Sequence, residues 1–139
     1  MSDLSTNPKD PALVMSALWQ DDCDRLEEAV RFASQRELAV INAANEDERV
    51  EAERVYIAAA KVRDRQVDRL DILLDAIFQT KAQSFEGAAA KLAVAIRADA
   101  TSPDDPERPW PHLRSVHADL DRLIAALKNA AANDDTAGA

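Results

Sequence analysis

The residues with the most chemical potential in this chain are carboxylates. Two runs, "DDCDRLEE" over residues 21–28 and "EDERVEAE" over 46–53, gather acids at helical spacing. Such a face can bind a cationic partner, and on a helical scaffold it can imitate the phosphates of a nucleic acid and fill the groove of a nuclease or regulator. The candidate partner-binding residues are therefore Asp21, Asp22, Asp24, Glu27, Glu28, Glu46, Asp47 and Glu48. The same carboxylates also suit plain solvated helix surface, which is the commoner use. Arg25, Arg49 and Arg54 are interleaved with them, and a mimic would gain from their removal.

Other chemistries find little to work with. Cys23 lies among Asp21, Asp22 and Asp24, whose charge opposes thiolate formation, so it reads as a small core residue and not as a nucleophile. His112 and His117 fall on different sides of a helix and lack the Glu partners of di-iron bundles. Gly87 followed by Lys91 suggests a phosphate loop only superficially: that motif needs several glycines, a preceding strand, and Ser or Thr after the Lys, whereas here Lys91 precedes Leu92. Ser84 instead suits an N-cap, with Glu86 near the positive end of the helix, and Gly87 suits close approach to another helix. No metal site, cofactor or catalytic residue is expected.

A net charge of -9 without a basic patch disfavours direct binding to nucleic acid or to anionic membranes and favours a basic protein partner. A single cysteine fits a reducing compartment. The opening "MSDLSTNPKDP" has neither the basic start nor the apolar stretch of a signal peptide, and no apolar run reaches membrane-spanning length, so a cytoplasmic address is expected.

The elements that must position these groups are helices, because helix formers dominate, glycine occurs twice, and strand formers never alternate. One helix is predicted over residues 13–44, with Cys23, Leu26, Val30, Ala33, Ile41 and Ala44 on its apolar seam. Asn45 followed by Glu48 resembles a capping pair, although an unbroken helix also fits the stretch. We favour a turn at 42–45, since a single helix over 13–78 would be about 100 Å long and could bury its stripe only in an oligomer.

A second helix over 46–79 carries a seam of Ala52, Val55, Ala59, Val62, Gln66, Leu70, Leu73 and Ile77. The densest core is expected at Leu70, Leu73, Leu74, Ile77 and Phe78. A third helix follows Ser84 to about residue 98. "ATSPDDPERPWPH" is a loop, its prolines forbidding helix continuation, and a fourth helix spans 111–129. Trp19 and Trp110 are expected to pack inward.

The segment "TKAQSFEGAAAKLAVAIRA", between "LLDAIFQ" and a proline-rich loop with a final "LDRLI" helix, resembles small uncharacterised all-helical proteins of alphaproteobacterial genomes and prophages. Ser84, Glu86, Gly87, Ala90 and Lys91 carry the likeness, which extends over about residues 70–127. It implies an accessory bacterial or phage protein and supplies no activity.

The expected architecture is an all-α helical bundle, built on a long antiparallel hairpin over 13–79, with two shorter helices folded onto its 70–78 end. Flexible tails are expected at 1–12 and 129–139, flanking one domain over 13–128. The expected function is non-enzymatic protein-protein interaction or scaffolding through helical surfaces. Homodimerisation through the alanine-rich half around residues 52–62 is expected with it. The alternative is an acidic inhibitor of a nucleic-acid-binding protein.

Overall fold

A computed structural model describes residues 10–137. Four helices follow in order, α1 (Pro11–Ile41), α2 (Glu46–Gln79), α3 (Phe85–Asp99) and α4 (Trp110–Ala137), with no strand among the described residues. The all-α hairpin architecture is as expected, with α1 and α2 packed closely together.

The chain does turn before Glu46, and the turn has a local cause. Asn45 Oδ1 accepts from the Glu48 amide at 2.9 Å while Glu48 Oε2 accepts from the Ala44 amide at 3.0 Å, a reciprocal arrangement close to a capping box. It satisfies amides that no helical carbonyl can reach, so α2 starts anew where the acids begin.

Three helix ends differ from expectation, the first being the stop of α1 at Ile41, short of the expected 44, ahead of the turn that precedes α2. α1 begins at Pro11, inside the segment expected to be a tail, because Asp10 caps it and proline suits the first helical position. α4 continues to Ala137, past the expected end at 129, because an alanine-rich segment favours helix even without large apolar side chains. Residues 1–9, the rest of the expected N-terminal tail, lie outside the described residues, as do residues 138 and 139.

The chain divides into two compact units. One is Leu18–Ala76, the two arms of the hairpin. Its buried apolar residues are Trp19, Ala33, Ala59 and Leu70. Two of these are alanines, which let helix backbones approach but remove little apolar surface from water. Of the expected α1 seam, Ala33 is buried, Cys23 and Leu26 are half-buried, and Val30, Ile41 and Ala44 are exposed. On α2 the seam holds except at Val62, which is exposed while Arg63 turns partly inward.

The other unit draws its described residues from Met1–Ala17 and Ile77–Ala139. Ala12, Ile77, Ala89 and Val94 form its buried apolar set, and α3 packs against α4. Ile77 is fully buried, as expected, whereas Phe78 is 47% exposed. Trp110, at the first turn of α4, is half-buried.

Candidate functional site

The predicted acids do not converge on one place. Asp21, Asp24, Glu27 and Glu28 lie exposed on α1, whereas Glu46, Asp47 and Glu48 open α2. From Asp24 to the end of α1 the helix runs about 25 Å at its rise per residue, so the two groups are separate surfaces.

Asp22 departs from its run. Its side chain is only 6% exposed and lies 3.5 Å from Arg25 and 3.4 Å from Arg69, while its carbonyl accepts from Gln66 Nε2 at 3.2 Å. One residue of α1 is thus tied to two of α2. Asp22 sets the register of the arms instead of offering charge to a partner.

At the turn, Glu46 accepts from Arg49 at 2.7 Å, and Glu51 accepts from Arg54 Nη2 and Nε, at 2.6 and 3.1 Å. Hydrogen bonding to these carboxylates raises both guanidinium pKa values, and the Arg54 hydrogen bond lowers that of Glu51. The interleaved arginines therefore neutralise part of the acidic run.

Beside these pairs lies an open groove of about 470 Å³, lined by Arg36, Ala39, Asp47, Glu48, Glu51, Ala52 and Val55. Its rim carries three carboxylates against one guanidinium. Arg36 also lies 4.7 Å over the Phe32 ring, which is itself partly exposed. Along the same unit Leu38, Ile41, Val50, Ile57, Val62 and Ile72 are exposed, with Ile41 at 71% and Ile72 at 73%. The hairpin thus leaves more large apolar side chains in water than it buries.

The second unit contains the polar cluster that answers why Gly87 is glycine. Asp10 accepts from the Ala12 amide at 3.0 Å, the Gln83 amide at 2.8 Å and the Ser84 hydroxyl at 2.7 Å. Ser84 Oγ in turn accepts from the Gly87 amide at 3.0 Å, so it is the expected N-cap of α3. A Cβ on Gly87 would sit 2.8 Å from Asp10 Cγ and closer still to Oδ2. The close approach expected there is thus made by a carboxylate.

Burial alone would push the Asp10 carboxyl up, but the donors from Ser84, Gln83 and Ala12 outweigh it and hold the carboxyl below its ordinary 3.8. Lys91 completes the region by donating to the Thr80 carbonyl at 2.8 Å, with its ammonium 5.8 Å over the Phe78 ring. That is a structural use of the lysine.

Asp105 does the same for the loop before α4. It accepts from the Glu107 amide at 3.0 Å and from the Thr101 amide and hydroxyl at 3.0 and 2.9 Å, while Arg114 donates to its carbonyl at 2.7 Å. These donors lower its pKa too.

Among the described residues no group of three or more His, Cys, Asp or Glu is placed to hold a metal ion. His112 is exposed and His117 lies 3.5 Å from Asp121. No helix of the described chain is long and apolar enough to cross a membrane. No protein-family model, curated protein or solved structure matches the chain.

Proposed function

We propose that the protein is a non-enzymatic interaction or scaffold protein that acts through the helical surfaces of Leu18–Ala76. The single observation behind this reading is the imbalance of that hairpin: its buried core is Trp19, Leu70 and two alanines, while Leu38, Ile41, Val50, Ile57, Val62 and Ile72 face solvent. Exposed large apolar side chains set among charged ones are what partner surfaces offer. The partner is a basic protein or a second copy of the chain, and the setting is the cytoplasm of a bacterium or phage-infected cell.

The test is affinity capture with the wild-type chain and with a Val55→Glu/Val62→Glu double variant, whose helicity is checked by circular dichroism. A protein held by the wild type and lost from the folded variant supports the reading. Equal capture by both, or no capture together with a monomer in sedimentation, overturns it.

A second reading, inhibition of a nucleic-acid-binding protein by charge mimicry, is favoured by Asp21, Asp24, Glu27 and Glu28 lying exposed within two turns of α1. Charge reversal at these four positions would abolish nuclease-resistant binding of a basic partner. Unchanged binding would reject it.

A further inference from the structure

One stripe of α2 flanks the seam with α1 and has a charge pattern of its own, although Val55 also belongs to that seam and Arg69 lies beside Asp22. Glu51, Val55, Ala58, Val62, Arg65 and Arg69 recur at alternating four- and three-residue spacing, which keeps them on one side of the helix over about 27 Å. Val55 is half-buried and the other five are exposed. The stripe is acidic at one end, aliphatic in the middle and basic at the other, and its acidic end is a wall of the groove that also holds Asp47 and Glu48.

This order is self-complementary under a two-fold axis. If a second copy of α2 lies antiparallel with the axis midway between Ala58 and Val62, Glu51 meets Arg69 of the second copy, Val55 meets Arg65, and Ala58 meets Val62. The aliphatic stem of Arg65 then covers Val55 while its guanidinium reaches the acidic rim. Both ends of the charge pattern reach solvent, since the Glu51 side chain is 64% exposed with Arg54 paired to it and that of Arg69 is 68% exposed with Asp22 beside it. A parallel pairing would instead set acid on acid and base on base, which is strongly disfavoured.

Resting on the interaction reading above, we infer that the hairpin docks a second copy of itself antiparallel along this stripe, with Arg65 and Arg69 of each copy seated at the acidic groove of the other. Such an isologous contact makes every side chain act twice, so a single charge change is felt at two places.

The experiment is sedimentation velocity on the full chain over the micromolar range. The wild type is expected to dimerise. Glu51→Arg and Arg69→Glu should each raise the dimer Kd about tenfold or more, and the double variant should return it to near the wild-type value. Arg65→Glu, at a residue in no salt bridge among the described residues, should weaken the dimer in the same direction and separates docking from any folding defect of Arg69→Glu. A dimer indifferent to all three single changes overturns this geometry while leaving the interaction reading intact. A wild-type monomer that still captures another protein does likewise, whereas a monomer that captures nothing overturns both.

Discussion

The two units solve the same problem, holding helices together with few large apolar residues, in opposite ways. In the unit containing α3 and α4, two nearly buried carboxylates, Asp10 and Asp105, each collect donors from backbone and side chain. Capped helix ends and a pinned loop result, although Ser16 Oγ and Arg114 Nη1 of this unit are buried without a hydrogen-bond partner among the described residues. In the hairpin Leu18–Ala76 the equivalent buried carboxylate, Asp22, faces two largely exposed arginines, and much of the aliphatic surface stays in water. The unit of α3 and α4 also leaves Phe85 and Leu127 exposed, so the contrast is one of degree, and the proposed function is placed on the hairpin because more of its large apolar side chains stay in water.

The comparison is sharpest within α2 itself. Ile77→Ala empties a fully buried site and should destabilise the fold by about 2–5 kcal/mol, measured by urea denaturation. Gly87→Ala should follow, at about 1–3 kcal/mol, because the new methyl displaces the Asp10 carboxylate. A loss for Gly87→Ala near zero would mean that Asp10 is not held where the structure has it.

Acid should act on the unit of α3 and α4. Asp10 and Asp105 have folded pKa values below 3.8, so their contribution is present above that value and is lost as pH falls through the lowered folded values. Amide resonances of α3 and of the loop before α4 should therefore respond in an NMR titration below about pH 4. Asp10→Asn should remove the α3 response, and its persistence would refute this account of the cluster.

Smaller effects belong to the hairpin. Asn45→Ala should lower thermal stability by about 1 kcal/mol through the lost cap. Ile72→Ala, at a side chain that is mostly in water, should change the stability of the monomer by no more than about 0.5 kcal/mol. A much larger loss there would show that Ile72 is already covered, and the contrast with Ile77 would collapse.

How legible all this is from sequence depends on the range of the interaction. The Asn45 and Glu48 cap, the Ser84 cap and the α2 seam are local patterns, so type and spacing reveal them. The start of α1 was equally local, written in Asp10 and Pro11, but turn formers around it suggest a tail. Gly87 signals a close approach without revealing its occupant, because Asp10 reaches Ser84 across 74 residues of chain. Burial of Asp22 is hidden for a related reason: its neighbours in sequence are exposed acids, and only the pairing of α1 with α2 turns it inward. Charge runs show composition well and orientation poorly.

The most direct test of the account is hydrogen exchange on the full chain, dilute and concentrated, and then with any protein recovered by capture. Binding through the hairpin predicts slowed exchange in α2 over residues 46–69 and in the adjacent part of α1 around Phe32 and Arg36, with α3 and α4 unchanged. Protection confined to α3 and α4, with the hairpin exchanging as in the free chain, would contradict the assignment.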